Sequence, residues 1–132
     1  MKKPSEFYLD IEVWRSGCWL VYPVNRKQAE EWLNNKFKSN DPFEVPALDT
    51  AQAVSLNYSP FFIFLTEWKF NPENVSVLTH ECIHVANYIL DRCGVKEKES
   101  CDEALAYLVG YLVESFLKAL TNKNQAKVRR SL

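Results

Sequence analysis

The chain has 132 residues, of which 47% are hydrophobic and 25% charged, and its 16 basic and 17 acidic residues give a formal net charge of -1. This length favours one domain with a sizeable core, and the balanced charge disfavours a general nucleic-acid-binding surface. Three glycines and six prolines exclude a collagenous chain, and the 14% of aromatic residues disfavours intrinsic disorder.

The sequence carries no pattern typical of export or membrane insertion. The first residues, MKKPSEFYLDIEV, have two lysines but no apolar run behind them, so we do not predict a signal peptide. The most apolar stretch, 105–113, is about half the length that crosses a bilayer, so no membrane partner is expected. The four cysteines form no C-x-x-C pair and are interpreted as reduced thiols, although Cys93 and Cys101 flank a short loop and could lie near each other. These features predict a cytoplasmic protein.

The first part of the chain predicts a hairpin followed by a helix. Apolar and polar residues alternate over 7–13, which indicates a half-buried strand, and a turn at 15–17 leads to its partner strand over 18–24. Asn25 is a suitable N-cap for the helix that follows. The apolar residues of this helix have the spacing of one face: Ala29, Trp32, Leu33 and Phe37.

A proline-rich connection follows. Residues 39–60 contain three X-Pro pairs and are predicted to be mostly loop, with a short element of undecided type within 49–58. The run FFIFL over 61–65 predicts a strand that is buried on both faces or covered on one.

Two helices are predicted in the second half of the chain. Asn71 is a suitable N-cap, Pro72 suits the first helical position and Gly94 suits the end, so the first helix is expected over 72–93. Ser100 and Glu103 form a capping-box pattern that opens a second helix over 101–121. Strands before long helices predict an α+β fold. We therefore expect one domain over 1–121 and a basic, flexible tail over 122–132.

The helix over 72–93 contains His80-Glu81-Cys82-Ile83-His84, which is an H-E-x-x-H pattern. Its two histidines, the only ones in the chain, lie about 40° apart and one turn apart on a helix, so both can bind one metal ion. Two neutral nitrogen donors suit zinc, and Glu81 lies beside them, where it can hold a water and take its proton. The alternative is a pair of surface histidines with a glutamate between them.

A catalytic zinc site usually has a third protein ligand, and no further histidine exists in this chain. Glu103 can supply this ligand if the two helices pack antiparallel across their short connection. The alternative role of Glu103 is to complete the capping box with Ser100. Asn87 and Asp91 share the polar strip of the histidines and are candidate hydrogen-bond partners for a ligand histidine, with plain surface exposure as the alternative.

The segment HECIH is separated by 18 residues, 85–102, from the glutamate of the segment DEALAY. This arrangement resembles the gluzincin branch of the HExxH zinc metallopeptidases, over roughly residues 61–117. The resemblance implies that His80, His84 and Glu103 bind zinc and that Glu81 is the general base. Two histidines and a glutamate are also the zinc ligands of thermolysin.

The same resemblance carries expectations about the fold. Zincins place a sheet before the active-site helix, and the edge strand of that sheet pairs with an extended substrate. The strand FFIFL precedes the HExxH helix in the same order. The chain is too short for the C-terminal domain of the large family members, so it looks like a minimal zincin domain, similar to those of phage and mobile-element proteins. The expected architecture is a small, mostly antiparallel sheet packed on the HExxH helix and a C-terminal helix.

The predicted function is hydrolysis of peptide bonds in a peptide or protein substrate, with Zn²⁺ as the cofactor. Tyr107 and Tyr111 lie on or near the Glu103 side of their helix and are candidates to stabilise the transition state, with packing as the alternative. A second hypothesis is a catalytically inactive zincin-like module that binds a partner protein through the same cleft. A third makes the basic tail a nucleic-acid contact, but four charges at a chain end usually serve solubility, so no nucleic-acid partner is expected.

Overall fold

The computed structural model describes residues 3–37, 42–46, 48–56, 60–94 and 102–122. Within these residues, four strands and three α-helices confirm the predicted α+β class. The strands and helices are β1 (Ser5–Ile11), β2 (Ser16–Tyr22), α1 (Arg26–Lys36), β3 (Ala51–Ser55), β4 (Phe61–Leu65), α2 (Pro72–Arg92) and α3 (Asp102–Thr121).

The four strands form one mixed sheet in the order β1-β2-β4-β3. The pairs β1–β2 and β3–β4 are antiparallel, so the predicted hairpin and the predominance of antiparallel pairing are confirmed. The central pair β2–β4 is parallel, with Cys18 opposite Phe61, and α1 and β3 lie between these two strands in the chain. In this strand order, β3 lies at one edge of the sheet and β1 at the other.

Strand β4 lies inside the sheet and is buried along its whole length, as the run FFIFL predicts. Its odd-numbered residues, Phe61, Ile63 and Leu65, belong to the core cluster that includes α2 and α3. Phe62 and Phe64 point the other way, into the cluster that includes α1. Because side chains alternate along a strand, β4 links the two halves of the core, with α1 on one face of the sheet and α2 and α3 on the other.

The predicted caps position the helices. The side chain of Asn25 accepts from the backbone N–H of Gln28 at 2.8 Å, and the Gln28 side chain accepts from Asn25 in return, which is a capping box at the start of α1. Asn71 caps α2 by accepting from Asn74 N at 2.8 Å, and Pro72 follows at the first helical position. Gly94, with a φ of +79°, follows the end of α2 in the left-handed region that favours glycine.

The bounds of the first hairpin differ from the sequence-based expectation: β1 begins at Ser5 rather than at residue 7, and β2 spans Ser16–Tyr22 rather than 18–24, so part of the predicted turn over 15–17 belongs to β2. Strand β1 ends at Ile11 rather than at residue 13, because Glu12–Trp14 form a short 3₁₀ helix before the chain turns into β2. The element of undecided type within 49–58 is strand β3. The predicted cap Ser100 and the tail over 123–132 lie outside the described residues.

Helix α3 packs through a stripe of residues spaced four apart: Leu108, Leu112, Phe116 and Leu120. The stripe belongs to the same core cluster as α2 and the odd-numbered side of β4. By length and composition, Glu103–Thr121 could cross a membrane, a property that it shares with core helices of soluble proteins.

Candidate metal centre

Helix α2 turns its histidines out of the core. Its apolar face is buried as the helical pattern predicts: Leu78, Cys82, Val85, Ala86, Ile89 and Leu90. His80, His84 and Asp91 are exposed and Asn87 is half-buried, so the polar strip lies on the outside of the helix. Burial, with a smaller contribution from the neighbouring Glu81, raises the pKa of Cys82 to about 12, and this thiol is therefore a protonated core residue.

The two histidines meet at their ring nitrogens. The Nε2 atoms of His80 and His84 lie 3.2 Å apart, and the rings cross at 76° with centroids 4.8 Å apart. Two histidine nitrogens at about 2.0–2.1 Å from a tetrahedral zinc ion would be separated by about 3.3 Å. The donor pair therefore has the chemistry and the spacing of two zinc ligands on one turn of helix.

Glu81 is buried, and its side chain reaches the edge strand β3. Its side chain is only 7% exposed, and Oε1 accepts a hydrogen bond from the backbone N–H of Ala53 at 2.8 Å. Ala53 is the middle residue of the edge strand β3, so this N–H lies on the side of β3 away from β4. The bond fixes the carboxylate against the strand and leaves Oε2 for another donor.

The other backbone group of Ala53 also has a side-chain partner. Gln52 Nε2 donates to the Ala53 carbonyl oxygen at 3.0 Å. An exposed strand edge offers unpaired N–H and C=O groups to an incoming strand, and here both groups of Ala53 are engaged by side chains of the same chain. A peptide that pairs with β3 at this residue has to compete with Gln52 for the carbonyl.

Tyr88 is a site residue that the sequence analysis missed. Its ring stacks on that of His84, with centroids 6.5 Å apart and an angle of 23° between the planes. Burial, followed by the charge of Glu81, raises the pKa of Tyr88, so its hydroxyl is protonated near neutral pH. The signal was present in the sequence, because Tyr88 follows His84 by four residues and so shares its face of the helix.

The structure does not bring the predicted third ligand to the histidine pair. Glu103 is exposed in the first turn of α3. Across the described residues, no three side chains of His, Cys, Asp or Glu lie close enough together to hold a metal ion. The neighbouring acid Glu99 and the side chain of Asp102 lie outside the described part of the chain. Ligation by Glu103 therefore stays a prediction.

The two tyrosines that were candidates for transition-state stabilisation occupy different environments on α3. Tyr107 is 76% exposed. Tyr111 is half-buried, and its pKa is raised by burial and by the nearby carboxylates of Asp10 and Glu12. Asp10 belongs to β1, at the opposite edge of the sheet from the Glu81–Ala53 contact. A role for either tyrosine in catalysis stays a prediction.

Comparison with known proteins gives no related protein from which a function could be inferred. No protein-family model matches the chain, and no curated protein or solved structure matches it significantly. The function is therefore inferred from the H-E-x-x-H pattern and from the geometry of α2 and β3.

Proposed function

We propose that the protein is a zinc-dependent metallopeptidase that hydrolyses peptide bonds with Glu81 as the general base. The observation that carries this proposal is the arrangement on α2. His80 and His84 bring their Nε2 atoms to 3.2 Å, while Glu81 of the same turn is held against the edge strand. Hydrolysis by an activated water needs nitrogen donors that can bind a metal and a carboxylate that can take a proton, and this turn of α2 carries both residue types.

Zinc would be held by His80 and His84, with Glu103 as the predicted third ligand. When bound, zinc supplies Lewis acidity, which lowers the pKa of a water to about 7 and polarises a substrate carbonyl. A ligand set of two neutral imidazoles and one carboxylate suits this ion.

Glu81 would carry the proton transfers. Because Oε1 is held by Ala53 N–H, the carboxylate has a fixed direction and Oε2 is the oxygen that can accept a proton from water. The same group would then deliver the proton to the leaving amine. Anchoring by a backbone N–H keeps the base in place, so less reorganisation is needed at the moment of transfer.

An extended peptide would bind along the outer edge of β3, on the side away from β4. Main-chain hydrogen bonds to an edge strand bind a peptide with little dependence on its side chains. Such a peptide would run beside Ala53 and therefore beside the carboxylate of Glu81. The Gln52 side chain would have to leave the Ala53 carbonyl, so that this oxygen can accept from the substrate.

The decisive variant is Glu81→Gln, with Glu73→Gln as its matched control. Glu73 is an exposed glutamate in the first turn of the same helix. Zinc content would be measured by elemental analysis, and hydrolysis with a library of fluorogenic peptides. We expect Glu81→Gln to retain zinc and to lose about 10²- to 10⁴-fold in rate, while Glu73→Gln behaves like the wild type. A Glu81→Gln protein as active as the wild type would remove Glu81 from the mechanism.

The alternative is a module that binds a partner protein through the same cleft without catalysis. One observation favours it: no three-ligand group exists among the described side chains, whereas a catalytic zinc site usually has three protein ligands. The same measurements separate the two functions. A wild-type protein that binds zinc stoichiometrically but cleaves no peptide of the library supports the alternative, whereas turnover that depends on Glu81 excludes it.

A further inference from the structure

Three aromatic rings form a column that runs from the core to the candidate metal centre. Phe61, the first residue of β4, is 2% exposed, and its ring lies 5.7 Å from that of Tyr88 at an angle of 27°. The Tyr88 ring in turn lies 6.5 Å from the imidazole of His84 at 23°. The buried end of the column is fixed by the sheet, while its outer end is an exposed imidazole.

An exposed histidine on a helix ordinarily samples several side-chain rotamers. His84 has two ring neighbours in the described structure, His80 and Tyr88. His80 is itself exposed and has no anchor to the core among the described contacts, so it cannot fix the direction of His84. Tyr88 is half-buried and stacked on Phe61, and it is therefore the neighbour that can restrict the imidazole.

We infer that Tyr88 is a positioning residue that holds the His84 imidazole, through its stack on Phe61, in the orientation in which His84 Nε2 faces His80 Nε2. Its consequence for metal binding rests on the proposed function, in which His84 is a ligand. The Tyr88 ring, and not its hydroxyl, orients the imidazole, because stacking is a contact between ring faces.

Two substitutions of Tyr88 are expected to differ in their effect on zinc affinity. Tyr88→Phe keeps the aromatic ring and removes the hydroxyl, whereas Tyr88→Leu fills much of the same space without a planar face. Aromatic stacking of this kind changes an equilibrium by about 3- to 10-fold. We expect Tyr88→Leu to weaken zinc binding by this factor and Tyr88→Phe to bind zinc within about 2-fold of the wild type. Trp14→Leu is the matched control, since Trp14 is another half-buried aromatic residue packed on the same core cluster.

The experiment uses the full chain and two readouts. Zinc affinity is measured by competition with a chromophoric chelator, and thermal unfolding in excess chelator reports the stability of each zinc-free variant. The second readout needs no metal: the chain has two histidines, so the imidazole signals in an NMR spectrum of the zinc-free protein are few and assignable. We expect contacts between the His84 and Tyr88 rings in the wild type, their equivalents in Tyr88→Phe, and in Tyr88→Leu an imidazole signal that moves toward that of a mobile histidine.

Three outcomes would overturn the orienting role of Tyr88. Tyr88→Leu with unchanged imidazole signals and unchanged zinc affinity overturns it, and so does a Tyr88→Phe variant as impaired as Tyr88→Leu. A Trp14→Leu variant that loses as much affinity as Tyr88→Leu would show a general packing effect and would also overturn it. If the wild type binds no zinc, the proposed function fails, and the imidazole signals alone still decide whether Tyr88 orients His84.

Discussion

Helices α2 and α3 pack on the same face of the sheet, yet they differ in what they contribute to the candidate site. On α2, the two predicted ligands meet at 3.2 Å and the predicted base is fixed to the edge strand. On α3, the predicted ligand Glu103 and the candidate Tyr107 are exposed, and what the helix buries is an apolar stripe. Among the described residues, α2 holds the side chains of the proposed site, and α3 contributes an apolar stripe to the core.

The two helices differ because the histidine contact lies within one helix, whereas a contact of Glu103 with the histidines would join two helices. Residues i and i+4 of a helix are neighbours whatever the rest of the protein does, so His80 and His84 meet because α2 is a helix. A contact between His84 and Glu103 depends on how far two helices slide past each other. Helix packing permits several such arrangements, and the spacing along the chain does not select one.

The largest expected effects concern zinc affinity, which tests whether α3 contributes a ligand as well as α2. His84→Ala removes one member of the pair and should abolish measurable zinc binding. Glu103→Gln tests α3, because glutamine can still complete a capping box but is a poor zinc ligand. If Glu103 binds zinc, we expect the affinity to fall by more than about 100-fold without loss of stability in the zinc-free protein. Elemental analysis and chelator competition measure both variants.

The control for Glu103 is Glu114→Gln on the same helix. Glu114 is an exposed carboxylate that pairs with Lys118 at 3.0 Å, and an exposed pair of this kind contributes little stability. Zinc affinity unchanged in Glu103→Gln would contradict ligation by this residue and direct the search to Glu99 or Asp102.

The packing role of α3 is tested by a pair of aromatic truncations. Phe116 is buried in the core stripe, so Phe116→Ala should lower the free energy of unfolding by about 3–5 kcal/mol. Tyr107 is exposed, so Tyr107→Ala should change the same free energy by less than about 0.5 kcal/mol. Urea denaturation measures both. Lost peptidase activity in a fully stable Tyr107→Ala protein would give α3 a catalytic role and contradict the division between the helices.

The smallest expected effect concerns the cap that sets the start of α2. Asn71→Ala removes the acceptor for Asn74 N–H and should cost about 1 kcal/mol in the free energy of unfolding. Asn71→Ser is the control, since serine caps helices about as well as asparagine. Thermal unfolding compares the two variants, and equal midpoints for alanine and serine would show that the cap contributes nothing to α2.

Much of the fold could be predicted from local patterns. The alternation over β1, the run FFIFL of β4 and the capping residues Asn25 and Asn71 each report on a few neighbouring residues, and each prediction is confirmed. Residues 49–58 carried no clear pattern, and the strand within them, Ala51–Ser55, is fixed by pairing with β4. The short strand β3 is an edge strand whose partner comes later in the chain, so the local pattern was too weak to identify it.

The sequence by itself determined the elements of this protein other than β3 and the short 3₁₀ helix, together with the histidine pair, because hydrophobic period, capping and the i, i+4 relation act within a single element. Only the tertiary structure decided that Glu81 is held by Ala53, that Tyr88 lies between Phe61 and His84, and that β2 and β4 run parallel. Each of these relations includes a contact between residues that are distant in the chain, such as that of Phe61 with Tyr88. They arise from how the elements pack around a shared core, and this arrangement is not contained in the spacing of the residues.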